Sequence, residues 1–183
     1  AVISVAGDID HDRVLEMVSR NFGTGNGAVP GFAAAPPAPC ERLIVETREL
    51  AQAHFCVGVP GLRRDHPEQW PLELMNTILG EGSSSRLFLN VREEAALAYD
   101  VHSFQTDYAD IGTLQVYAGV DPADLNEAVE AVLDELRRLR DEPITIDELE
   151  RARAMAKAGM MMSLESCWGQ ASSVEAHRAL AAS

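Results

Sequence analysis

The chain has 183 residues, 46% of them hydrophobic, with 15 Lys and Arg against 29 Asp and Glu and a net charge of −14. That length suits one domain able to bury roughly 70% of the surface its unfolded form exposes, and the apolar content excludes a disordered chain. The acidic balance excludes a nucleic-acid binder, which needs a basic face to displace counterions; the charge serves solubility or attracts basic peptides.

In chain order, residues 2–6 (VISVA) make an apolar run suited to a buried strand. Gly7-Asp8-Ile9-Asp10 is a turn, and Asp10 is placed to cap a helix over 11–22 that has Val14, Leu15, Val18 and Phe22 on one face. Residues 23–40, rich in Gly, Ala and Pro, read as a loop. Extended segments are expected at 42–47 and 52–59. In the second, Ala53, Phe55, Val57 and Val59 alternate with His54, Cys56 and Gly58, the period of a half-buried strand.

Pro60-Gly61 breaks that strand, and a helix opens near Pro67 with the stripe Trp70, Leu74, Met75, Ile78 and Leu79. Gly80 and Gly82 end it. Ser83, Ser84 and Ser85 then cap a short helix bearing Leu87, Phe88 and Val91. Strands over 98–106 and 111–119 form a hairpin around 107–110. A strongly amphipathic helix follows Asp121-Pro122 and stops at Glu142-Pro143. Thr145 with Glu148 makes a capping box for a long helix over 146–166, and a further helical piece runs from Gly169.

The resulting order is β α β β α α β β α α. Paired strands favour an antiparallel sheet over βαβ crossovers, so the expected fold is α+β, with helices packed on one face of a mainly antiparallel sheet. Residues 1–183 are expected to form a single domain. The chain opens without Met inside a strand-like run and ends without a helix stop signal, so a piece of a larger protein, truncated at both ends, is expected. No apolar run approaches the ~20 residues of a membrane helix, and the N-terminus lacks the basic flank of a signal peptide. The three cysteines (Cys40, Cys56 and Cys167) are odd in number and without CxxC spacing, which fits a reducing compartment; a bacterial cytoplasmic protein is the expectation.

Several site chemistries are missing. His11, His54, His66, His102 and His177 are too far apart in sequence for HExxH or HxxEH, so no metal ligands are assigned in this chain. Asp8, Asp10 and Asp12 mimic a calcium loop, but Arg13 stands where the loop needs Gly and Ser19 where it needs Glu. Gly80-Glu81-Gly82 before serines offers backbone amides to an anion, or is a plain capped turn between helices; it lacks a Walker lysine and a GxSxG elbow.

Two side chains remain conspicuous, Arg92 and Tyr99. Arg92 follows the buried-stripe residue Val91 and so lies at the stripe's edge, while Tyr99 opens the next strand. Such a corner can bring both side chains to one rim, where a guanidinium and a phenol hydroxyl grip an extended peptide. The plainer alternative pairs Arg92 with Glu93, Glu94 or Asp100 and packs Tyr99 at a sheet edge.

The stretch ILGEGSSSRLFLNVREEAALAY, ending at Tyr99, resembles a signature in the second half of the insulinase/pitrilysin family of zinc peptidases, in the branch of mitochondrial processing peptidase and its bacterial relatives. AVISVAGDIDHDRVLEMVSRNFG is similar to the opening of that family's C-terminal half, and ITIDELERARAMAKAGMMMSLES to its late long helix. GVPG and a helix ending in ILG fall between them in order. The resemblance implies one metal-free half of a clamshell of two α+β halves. It implies zinc and HxxEH in an N-terminal half, with no cofactor and no catalytic residue in this chain. It further implies that Arg92 and Tyr99 bind a peptide substrate, itself an added strand on the other half's sheet edge. The implied partner is that catalytic half, within the parent protein or as a partner subunit of a dimer; a non-catalytic subunit is the alternative function. The chain departs once from the signature, with Ala96 where the family usually has Gly before LAY.

Overall fold

The structure, a computed structural model, describes residues 2–23 and 43–181, with side chains through residue 174. The expected loop over 23–40 and Cys40 lie outside the described residues, apart from Gly23. Two compact units are present, residues 39–158 and residues 1–38 with 159–183.

The larger unit is built on three antiparallel strands, β1 (Ala53–Gly61), β2 (Ala98–Asp107) and β3 (Gly112–Val120), in the spatial order β1-β3-β2. Val57 and Ser103 both lie opposite Val116 across the ladders. Alternation sorts the sheet into two faces. Leu114, Val116, Ala118 and Val120 of β3 are buried on one, with Val101 and Ser103 of β2. Helix α2 (Gln69–Gly80) adds Leu79 to this core, and helix α3 (Leu125–Asp141) adds Ala128 and Val132. Burial of this kind stabilises by roughly 25 cal/mol per Å² of apolar surface. The opposite face carries Thr113, Gln115, Tyr117, His54, His102 and Phe104, none of them buried. The expected one-sided α+β layer is therefore present.

One close approach sets how α2 meets the sheet. A Cβ on Gly80 would lie 2.3 Å from the Ser103 backbone nitrogen, so only glycine lets the helix end sit against β2. Ser103 Oγ donates to the Asn76 carbonyl at 3.2 Å and joins the same two elements. Between Gly80 and β2 the chain makes a capped turn and then a π-helical segment, Phe88–Glu94. Ser85 Oγ donates to the Gly82 carbonyl at 2.8 Å. It also accepts the Phe88 N–H at 3.4 Å, so the serine run caps the helix as expected.

Helix α4 (Ile146–Leu164) starts with the expected capping box. Glu148 accepts the Thr145 N–H at 2.8 Å, and Thr145 Oγ1 accepts the Glu148 N–H at 3.2 Å. The same carboxylate takes a two-toothed bond from Arg86, Nε to Oε1 at 2.7 Å and Nη2 to Oε2 at 3.1 Å. The two side chains are only 10% and 16% exposed.

The smaller unit contains α1 (His11–Phe22), the last turn of α4, and α5 (Cys167–Ala181). Asp10 Oδ1 caps α1 by accepting the Arg13 N–H at 2.8 Å. Gly23, at φ 64°, closes the helix with its N–H on the Ser19 carbonyl.

Four expectations need correction. Pro60 and Gly61, expected to break the strand, are instead its last two residues, opposite Thr113 and Gly112 of β3. Residues 2–6 form no strand; they pair with none among the described residues and are half-exposed or exposed. Residues 43–47 are likewise unpaired and exposed. In both, apolar composition suits a strand, but a strand exists only where a partner supplies its hydrogen bonds. Trp70, expected on the buried stripe of α2, is 67% exposed, because it sits on the first turn, before the helix reaches the core at Asn76–Gly80.

The Arg86 bond holds the Glu148 carboxyl down at about 2, against an ordinary 4.5; burial opposes this shift and the Thr145 donors reinforce it. A carboxyl lowered by folding adds stability above its unfolded value and loses it as pH falls through the folded one. We expect this pair to contribute roughly 1–2 kcal/mol above about pH 5, after solvent screening, and progressively less toward about pH 2. Urea unfolding at those two pH values checks this: Glu148→Gln should lower stability at the higher pH and narrow the gap between the two.

Candidate functional site

Arg92 and Tyr99 lie on either side of the corner that joins the π-helical segment to β2. The segment and the residue before it bury Val91 and Leu87. These side chains anchor its inner side and leave Arg92 outward and exposed. The helix widens at its end, where the Ala95 N–H bonds the Asn90 carbonyl five residues back and the Leu97 N–H bonds the Val91 carbonyl six back, both at 3.0 Å. π turns of this kind cluster at functional positions.

Ala96 then turns the corner at φ 55°, and among the described residues it is the only non-glycine with positive φ. A Cβ in that conformation crowds the following carbonyl and costs roughly 1–2 kcal/mol. This explains physically why glycine suits the position. Leu97, 9% exposed, drops back into the core directly after it.

Tyr99 follows at a register break. Ala98 pairs with Val120 and Asp100 with Gly119, so Tyr99 is the extra residue of a β-bulge. A bulge re-aims a side chain out of the regular alternation, and Tyr99 is 57% exposed. A π turn, a left-handed alanine and a bulge thus fall within a dozen residues around the two sequence-selected side chains.

The Arg92 guanidinium carbon lies 4.9 Å from the centre of the Phe88 ring. Stacking on a ring holds the group while leaving its in-plane donors free for carbonyl oxygens. Among the described residues, no ion pair joins Arg92 to Glu93, Glu94 or Asp100. Asp100 lies 3.4 Å from His102 Nδ1 instead. Nor does a hydrogen bond or ring contact link Arg92 to Tyr99.

The Gly80-Glu81-Gly82 turn is tied back to α2 by its acidic side chain. The Glu81 carboxylate accepts from Asn76 Nδ2 at 2.9 Å and from Thr77 Oγ1 at 3.0 Å, which favours the capped-turn reading over an anion site. On the open sheet face His54 Nδ1 lies 2.8 Å from the Tyr117 hydroxyl, and the His102 ring 5.1 Å from the Tyr117 ring. No group of three or more His, Cys, Asp or Glu among the described residues is arranged to hold a metal, so these residues do not fit a zinc site.

Sequence reasoning missed Phe88 as the shelf under Arg92, although its i, i+4 spacing was visible. It also missed Arg86 as the partner of Glu148, a contact spanning 62 residues that local pattern does not reveal.

An α+β domain with a one-sided antiparallel sheet and an exposed Arg–Tyr corner is thereby defined. The chain belongs to the peptidase M16 family, as its inactive domain: residues 1–156 match that description. This is the zinc-peptidase family the sequence resembles. The chain is 34% identical to an uncharacterized zinc protease of Streptomyces coelicolor, over 95% of this chain and 42% of that protein. It is 36% identical to the uncharacterized zinc protease YmxG of Bacillus subtilis, over 90% of this chain and 40% of that one. The chain therefore spans about two fifths of the length of these relatives. A protease structure from Helicobacter pylori shares the fold, with a TM-score of 0.75 at 21% identity over 96% of this chain and 44% of that one. No described helix is long and apolar enough to cross a membrane.

Replacing Ala96 by Gly removes the left-handed strain, partly offset by the freer unfolded chain. We expect Ala96→Gly to raise stability by up to about 1 kcal/mol, read as a higher thermal midpoint. A fall on the same scan would show that the corner does not strain the alanine.

Proposed function

We propose that the whole chain, both compact units together, is the metal-free half of a zinc-dependent endopeptidase. It supplies Arg92 and Tyr99 to hold the substrate peptide and closes the chamber over a zinc site in the parent protein's N-terminal half. The observation that carries this reading is the corner itself. Its backbone departs from regular geometry three times, and the outcome is an exposed tyrosine on a bulge and, seven residues before it, an arginine on an aromatic shelf with no ion-pair partner among the described residues. The naming of its relatives as zinc proteases supports the same reading.

In this reading the Arg92 guanidinium donates to main-chain carbonyls of the peptide. The Tyr99 hydroxyl donates to a carbonyl oxygen near the scissile bond, where negative charge develops. A zinc ion in the N-terminal half, outside this chain, would supply Lewis acidity and an activated water to the reaction. The partner is the catalytic half, in the same parent protein or as a second subunit of a dimer. A reducing, bacterial cytoplasmic setting is part of the proposal, supported by the free thiols of Cys56 and Cys167.

The test uses the full-length parent protein. Arg92→Ala and Tyr99→Phe should each lower peptide cleavage by about tenfold or more, with bound zinc, measured by elemental analysis, unchanged. Wild-type cleavage by both variants would refute the substrate-holding assignment.

A further inference from the structure

We propose that Arg86 and Glu148 are positioning residues for the substrate-holding corner, setting the direction in which Arg92 projects. The proposal rests on the reading of Arg92 and Tyr99 given above and adds the device that aims them. Arg86 stands two residues before the π-helical segment and six before Arg92, on the inner side where Arg92 is on the outer. The other anchors of the segment, Leu87, Val91 and Leu97, are apolar. Apolar burial is non-directional; it sets depth but tolerates rotation about the helix axis. A planar fork on a carboxylate is directional and fixes that rotation.

The acceptor end is itself held rigid. Glu148 is tied to Thr145 by three hydrogen bonds at the first turn of α4, so the fork closes on a capped helix start. Helix α3 converges on the same point. Glu135, 5% exposed, takes Arg138 Nη1 on Oε1 at 2.7 Å. Its Oε2 and Arg86 Nη1 are both buried without a hydrogen-bond partner among the described residues. The charge of Glu135 also helps hold Arg86 in its cationic form, after the dominant bond from Glu148. Two helices thus present carboxylates to one buried guanidinium at the root of the corner.

A buried ion pair is commonly no more stabilising than apolar side chains of the same volume. Its distinct contribution is orientation, and here the oriented object is the segment that carries Arg92. That distinction makes a positioning role separable from a structural one.

The experiment is a mutant cycle in the full-length parent protein, scored by thermal midpoint, zinc content and peptide-cleavage kinetics. The pair Arg86→Met with Glu148→Leu should keep the fold and the zinc. It should raise KM for peptide about tenfold while kcat stays within about a factor of two, as expected when substrate holding alone is loosened. In that background Arg92→Ala should cost several-fold less than it does in the wild type, because the two changes share one effect. Unchanged KM in the apolar pair, or an Arg92→Ala penalty equal in both backgrounds, overturns the proposal. Should the apolar pair fail to fold, Arg86→Lys, which keeps the charge and loses the fork, takes its place in the cycle: a raised KM with a smaller Arg92→Ala penalty supports the positioning role, and an unchanged KM or an equal penalty overturns it. If Arg92→Ala and Tyr99→Phe are silent in the wild-type background, the substrate-holding reading is what has failed.

Discussion

The corner between Leu87 and Val101 has to bury three large apolar side chains while turning a helix into a sheet strand, and the rest of the candidate site follows from that constraint. Leu87 and Val91 must face inward from the helix, and Leu97 must return to the core within six residues. A regular α-helix followed by a regular strand does not meet those demands over so short a span. The chain meets them by widening its last turn, placing Ala96 in the left-handed region, and accepting an extra residue at Tyr99. Arg92 and Tyr99 are among the side chains left outside by this solution, with Glu93, Glu94 and Asp100. Their exposure is therefore a consequence of core packing, and their availability to a ligand comes without a separate loop.

The arrangement also explains how a helix end and a strand start can be held stiffly. Gly80 lets α2 sit against the Ser103 backbone on one side. The Arg86 fork ties the other side to the first turn of α4. Sites carried on packed elements are more sharply defined than sites on loops. On the proposed reading, rigidity at the contact with the substrate is the property this corner has to supply.

Local signals were legible where the physics is local. The Asp10 cap, the Thr145–Glu148 box, the hairpin of β2 and β3 and the amphipathic α3 all follow from contacts within a few residues, and all are present. Residues 2–6 and 43–47 show the opposite case. Their composition permits strands, but pairing is a long-range event that composition does not decide. The π widening and the Tyr99 bulge were invisible for a related reason, since both depend on how far the buried anchors sit from the sheet. Arg92 and Tyr99 themselves were legible by residue type and by family resemblance. The departure from glycine at Ala96 was visible in the sequence, but the left-handed backbone there was read only from the structure.

Everything proposed for Arg92 and Tyr99 requires that this corner touch the substrate chain. The contact can be captured by placing a photoreactive phenylalanine analogue at Tyr99 in the full-length protein and irradiating it with a cleavage-resistant peptide. A covalent adduct at position 99 is expected, competed away by unlabelled peptide, and none when the analogue replaces Arg137, exposed on α3. No adduct at 99, or equal labelling at both positions, would mean that the corner does not meet the substrate.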